Sequence, residues 1–208
     1  MHRVGVRPGN GAVRHAVTDD ALAAAALLLR DGEVLWRFAW TNRERTNCSQ
    51  PLPSVGGPDT VFVSTDYGQG CVMLQIERST DGEWLPPRKL WDNRLMKTKF
   101  TTAVFHRGFL YGLDDGILEC LDARDGGKKW KEGRYGHGQV LLAGDLLLIQ
   151  AEDGEVVLGE ASPERWKELG RIAALSGKTW NNLALAGKYL LVRNDHEAAC
   201  YEVALAGN

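Results

Sequence analysis

At 208 residues, 44% hydrophobic and 25% charged, the chain has the length and apolar content to bury a core of one or two domains. Its 25 basic and 27 acidic residues are scattered and leave a net charge of −2, so there is no basic field for a phosphate backbone and no nucleic-acid partner is expected. The four cysteines, Cys48, Cys71, Cys120 and Cys200, form no CxxC pair or Cys/His cluster with metal-ligand spacing, which argues against structural zinc.

The opening MHRVGVRPGNGAVRH matches nothing downstream, so residues 1–30 read as an irregular N-terminal segment with a remnant strand. ALAAAALLL, at 21–29, is half the length of a membrane-spanning helix and follows Asp19 and Asp20, so no transmembrane span is expected. Acids upstream and the lack of a small-residue cleavage site in RDGEVLW downstream make it a poor signal peptide as well. Alanine favours a helix there by local propensity. Alignment with later units favours a strand that leads into RDGEVLW.

From residue 31 onward one phrase recurs. GPDTVFVSTDYGQG (57–70), RGFLYGLDDG (107–116), AGDLLLIQAEDG (143–154) and AGKYLLVRNDH (186–196) each set an apolar strand after a turn, at spacings of 36 to 50 residues. Each is followed by a further strand: CVMLQIE, ILECLDA, EVVLGEA and AACYEVA. A polar turn and an outer strand come next, as in RKLW, GKKWK and KELGRI, with an earlier copy in GEVLWRF. PLPSV, FTTAVF, QVLLA and NNLALA open the units. Four short strands per unit, joined by Asp- and Gly-rich hairpins, predict an all-β partial β-propeller of about four four-stranded antiparallel blades, at approximately 41–91, 98–131, 136–172 and 178–205. A β-sandwich also alternates strands and turns but does not normally repeat its own sequence.

The turn-plus-tryptophan phrases RDGEVLW and ARDGGKKW resemble the A-x-D-x-x-T-G-x-x-x-W motif of pyrroloquinoline-quinone-like (PQQ-like) propellers. That family includes quinone-dependent alcohol dehydrogenases and the propeller of outer-membrane assembly machinery. DYGQGCVMLQ, NRLMKTKFTTAVFHRGFLYGLD and LSGKTWNNLALAGKYLLVRND extend the resemblance over about residues 31–205. It implies a bacterial, periplasmic or extracytoplasmic repeat protein that binds other proteins. It also implies that Trp36, Trp91 and Trp130 dock one blade on the next, with Arg171 replacing tryptophan in the following blade.

A quinone dehydrogenase would need a Ca²⁺ held by oxygen ligands, a catalytic Asp, and the adjacent cysteines that the family's enzymes carry. No Cys-Cys pair occurs here, and the chain has about half the blades that such a site draws upon, so no cofactor, no metal and no catalytic residue are expected. Asp114, Asp115, Asp122, Asp125 and Asp153 read as turn residues bonding local N–H groups. YGQG at 67–70 precedes a strand rather than a helix, which removes the phosphate-loop reading. His137, in RYGHG, has no nucleophile with an acidic partner beside it in the sequence.

Candidate binding residues are Asn93, Arg94, Lys97 and Lys99 on one inter-blade connection and Lys178, Trp180 and Asn181 on the corresponding one two blades later. Cys120 and Cys200 occupy equivalent strands of different blades, too far apart to bridge, and read as small buried residues. Apolar inter-blade faces left without a neighbour predict association with a protein partner, another propeller half or a second copy in a homodimer.

Overall fold

The hairpin turns set the architecture locally. Arg107-Gly108 has positive φ at both central residues (48° and 90°), while Gly144 and Gly187 supply it at the first central position (59° each). Those are the conformations that let a two-residue loop join strands with the natural right-handed twist. A computed structural model describes residues 34–203 and, as strands, 4–6, 13–16 and 24–28. The first sheet comprises β1 (Val4–Val6), β2 (Val13–Ala16), β3 (Ala24–Leu28) and β4 (Val34–Phe38). The second comprises β5 (Leu52–Pro53), β6 (Thr60–Thr65), β7 (Gly70–Gln75) and β8 (Arg88–Asn93). The third is β9 (Val104–His106), β10 (Phe109–Asp114), β11 (Ile117–Asp122) and β12 (Lys128–Arg134). The fourth is β13 (Gln139–Ala143), β14 (Leu146–Gln150), β15 (Glu155–Glu160) and β16 (Glu168–Ala173). The fifth, of three strands among the described residues, is β17 (Ala184–Ala186), β18 (Tyr189–Arg193) and β19 (Ala198–Glu202).

Every pairing is antiparallel and runs in chain order, no helix occurs among the described residues, and no sheet closes on itself. The fold is an all-β partial propeller, an open arc of blades.

The beginning of the chain departs from expectation. In place of an irregular segment with one remnant strand there is a four-stranded sheet, with Val4, His15, Ala26 and Trp36 in one register. Its first two strands have three and four residues, too few for a periodic pattern to stand out, and each is placed by pairing with the strand that follows it.

The register explains how the blades stack. Residues opposite one another on adjacent strands share a face, so each sheet carries a central row. These rows are Leu52–Phe62–Met73–Trp91, Val104–Tyr111–Cys120–Trp130 and Leu141–Leu148–Leu158–Gly170. Phe62, Met73 and Trp91 pack on Leu110, Leu121 and Ala123 of the next sheet. Tyr111, Cys120 and Trp130 pack on Leu147, Ile149 and Val157. Leu148 and Leu158 pack on Leu190 and Val192. Each large side chain moved from water into such a layer contributes about 1.5–3 kcal/mol, so the blades are held face to face mainly by this burial.

The outer strands slip by one residue just beyond the tryptophan position, at the bulges Met73/Leu74, Cys120/Leu121 and Leu158/Gly159. In the fourth sheet the residue opposite Leu158 is therefore Gly170, and Arg171 stands opposite Val157. Arg171 is not the tryptophan's replacement. It lies at the surface, bonded to Glu168 at 2.7 Å and Glu155 at 2.6 Å.

Candidate functional site

Antiparallel alternation puts two sets of loops on one face of the arc. One set joins the outer strand of each blade to the inner strand of the next (39–51, 94–103, 135–138 and 174–183), and the other joins the middle strands (66–69, 115–116, 151–154 and 194–197). Backbone bonds lace them together: Asp115 N donates to Lys97 O, Glu152 N to Tyr135 O, and Thr179 N to Glu152 O, at 2.7 to 3.1 Å. Gly154, at φ +99°, lies under this lacing, and a Cβ there would stand 2.3 Å from Leu175 O.

The two predicted connections meet. Gln139, buried at the start of the fourth blade's inner strand, donates its amide to Phe100 O at 2.9 Å and to Trp180 O at 3.0 Å. The rings of Phe100 and Trp180 lie 4.8 Å apart, and His137 stands edge-on to Phe100 at 5.7 Å. Glu152 accepts the Trp180 indole N–H at 2.7 Å and the His137 backbone N–H at 2.9 Å. The bond from His137 is the largest influence holding its carboxyl below the usual range. Lys178 Nζ lies 4.2 Å from the Trp180 ring centroid, and Lys99 Nζ lies 5.1 Å from that of Tyr67 and 3.8 Å from Asp66. Trp180 and Lys178 are exposed, and Asn181 is half-buried beside them.

Other candidates are turned inward. Asn93 is a joint: its amide donates to Gly126 O of the next blade and its oxygen accepts Leu95 N, both at 2.9 Å. Arg94 is exposed. Lys97 is tied, with Lys131, to the carboxylate of Asp114, which is 1% exposed and also accepts Lys97 N at 2.8 Å. Burial pushes Asp114 up, but its hydrogen bonds from Lys131 and Lys97 outweigh it and hold the carboxyl below its ordinary value. Beside it Glu119 is fully buried, accepting Met96 N at 2.7 Å through one oxygen. Burial pushes this carboxyl up. Sequence reasoning passed over Glu119, Gln139 and the buried hydroxyls Ser49, Ser64 and Thr98, which bond one another across two connections. A Glu or Gln inside an apolar strand phrase was the one available signal.

Trp36 packs with Val61, Val63 and Trp40 between the first and second blades. The indole N–H of Trp91 donates to Ala123 O at 3.1 Å and that of Trp130 to Ser162 O at 2.9 Å, in each case on the next blade's outer turn.

Beyond the loops lies a second surface. The fifth sheet's row, Ala184–Leu191–Cys200, has no sheet against it among the described residues. Phe62 and Tyr111, its counterparts of Leu191, are 1% and 0% exposed, whereas Leu191 is 47% exposed and Tyr189 45%. Cys200 is exposed where Cys120 is buried, contrary to the expectation that both are buried, because no further blade covers it among the described residues. Ala184, Leu191, Ala198 and Cys200 line an open depression of about 350 Å³.

Among the described residues no three His, Cys, Asp or Glu side chains are grouped to hold a metal ion. The most buried acid pair, Asp114 and Glu119, is committed to two lysines and to backbone. No helix is long and apolar enough to cross a membrane among the described residues.

Comparison with known proteins agrees with the blade pattern. In solved structures the arc is similar to BamB from Moraxella catarrhalis (TM-score 0.67, 14% identity), covering 94% of this chain and 55% of that one. It is similar to the Cps50 (Swd1) β-propeller domain of Myceliophteria thermophila (TM-score 0.64, 15% identity, 93% of this chain and 66% of that one). It is similar also to the computationally designed Ika8 protein (TM-score 0.60, 12% identity, 96% and 57%). The chain thus spans little more than half the length of the BamB structure. No curated protein matches by sequence. The family described as outer membrane protein assembly factor BamB matches over residues 12–132, more than half of the chain, and to that family of PQQ-like propeller proteins this chain belongs.

Proposed function

We propose that the chain is a non-catalytic scaffold that binds protein, with the fifth sheet's open face as its contact surface. The observation that carries this reading is the exposure of Leu191 at a position where Phe62 and Tyr111 are buried by the next blade. A contiguous apolar face of this kind is costly in water and is relieved by a protein surface of similar shape. The family description, an assembly factor, agrees with a role in which contacts rather than chemistry are the product. The commitment of Asp114 to two lysines and of Glu119 to the Met96 backbone also supports a non-catalytic reading.

In isolation such a face pairs with a second copy. Light scattering on the purified chain should show concentration-dependent association that Leu191→Asp abolishes. A compact monomer at every concentration, indifferent to Leu191→Asp, would contradict the reading. Adding quinone and Ca²⁺ while monitoring tryptophan fluorescence tests the non-catalytic half: no quenching and no dye reduction with alcohols are expected.

A further inference from the structure

We infer that the connection from β8 to β9, residues 94–103, is a proton-operated latch: protonated Glu119 holds its Met96–Lys97 segment closed on the third blade, and loss of that proton lets the segment part from the blade.

Two buried carboxylates grip this segment at consecutive backbone N–H groups. Glu119 Oε2 accepts Met96 N at 2.7 Å, and Asp114 Oδ1 accepts Lys97 N at 2.8 Å. The two acids are not equivalent. Asp114 also binds the ammonium groups of Lys97 and Lys131, so its charge is answered. Glu119 is 0% exposed, and its Oε1 has no hydrogen-bond partner among the described residues. Ionised there, Glu119 would be a buried charge with one N–H to satisfy it, so the closed arrangement suits the acid and not its anion. The groups facing it offer no other balance. Asp114 comes from β10, Lys131 from β12, Lys97 from the connection, Cys71 from β7 and Cys120 from its own strand. Both lysines are committed to Asp114, and burial keeps both thiols protonated. Burial likewise holds the Glu119 carboxyl above its ordinary value.

The segment itself is fit to open. Met96 is fully buried at φ +49°, a backbone conformation that a side chain disfavours. Its Sδ fills the space beside Gly112, where a Cβ would stand 2.5 Å from it. Apart from the two carboxylates, the backbone is held by separate bonds rather than a ladder: Thr98 N donates to Met96 O at 2.9 Å and Asp115 N to Lys97 O at 3.1 Å. Contacts of this kind open locally while the paired strands stay closed. Lys99 and Phe100 follow directly in the chain, and Phe100 lies 4.8 Å from the Trp180 ring. The proton on Glu119 is therefore read out at the loop face.

The test is amide hydrogen exchange on the whole chain by NMR, with each rate divided by its intrinsic value at that pH. Protection at Met96 and Lys97 should fall about tenfold per pH unit while Glu119 remains mostly protonated, then level off once it is ionised. Both amides should stay at least about tenfold less protected than Cys120, which is paired on both sides. In Glu119→Gln, which keeps an acceptor for Met96 N and cannot ionise, the fall should vanish. The carboxyl carbon-13 signal of Glu119 in the unaltered chain fixes the pH at which the levelling must occur, so the test does not depend on how well the variant folds. A fall that persists in Glu119→Gln, or one that levels at another pH, assigns the motion to a different group and overturns the latch. Protection equal to that of Cys120 overturns it too, because the segment then exchanges only when the blade unfolds. A titrating carboxyl with unchanged exchange at Met96 means that Lys131 alone answers the new charge, and this also contradicts the latch.

Discussion

The third and fifth blades carry the same row in two environments. In the third, Tyr111 and Cys120 are covered by Leu147, Ile149 and Val157 of the next sheet, and Trp130 closes the row. In the fifth, Leu191 and Cys200 stand in the same register with nothing over them and no fourth strand beside them among the described residues. One strand pattern thus yields a buried layer or an exposed face according to whether another blade is stacked on it, so pattern alone does not assign burial.

Four substitutions break or sharpen this comparison. Tyr111→Ala removes a fully buried aromatic side chain of the row and should cost about 3–5 kcal/mol in denaturant unfolding, whereas Leu191→Ala should stay within about 0.5 kcal/mol while weakening association. Asp114→Ala leaves Lys97 and Lys131 beside each other without their carboxylate and should cost about 3–5 kcal/mol, again by chemical denaturation. Trp130→Phe keeps most of the packing but removes the bond to Ser162 O, for a loss of about 1 kcal/mol.

The smallest effect is on pH dependence. Glu119's raised pKa means that the folded state binds its proton more tightly than the unfolded chain does. Its contribution is therefore fully present below the ordinary Glu value and is lost as pH rises through the raised one. Glu119→Gln, which can still accept Met96 N, should flatten the fall of the melting temperature as pH rises above the ordinary Glu value, as seen by circular dichroism. Asp122 works in the opposite sense. Hydrogen bonding from Arg124 lowers it to about 2, so its contribution holds above the ordinary Asp value and fades as pH falls towards that figure.

Much of the architecture was legible because glycine and aspartate mark the hairpins, and the alternation between them has period two. The docking tryptophans were legible for the same reason. Gly170 was not: seven residues separate β15 from β16 where five separate β11 from β12, and with no tryptophan to fix the count the repeat phrase lands on Arg171. The first sheet was not, since strands as short as Val4–Val6 take their place from their neighbours. On the loop face, the two segments marked in the sequence come together, but their residues divide. Lys99, Lys178 and Trp180 stand in the aromatic cluster, while Asn93 and Lys97 are consumed by structure. The clamp that joins the two segments, Gln139, lies on a different blade's inner strand, a distance that one-dimensional reading does not cross.

The open face of the fifth blade is tested most directly by thiol labelling of the native chain, read residue by residue with mass spectrometry. In dilute solution Cys200 should react as an exposed thiol, whereas Cys120, buried and pushed up to about 12 by that burial, should resist. Raising the chain concentration should shield Cys200 as copies associate. Cys200 as protected as Cys120 in the dilute chain would contradict the account.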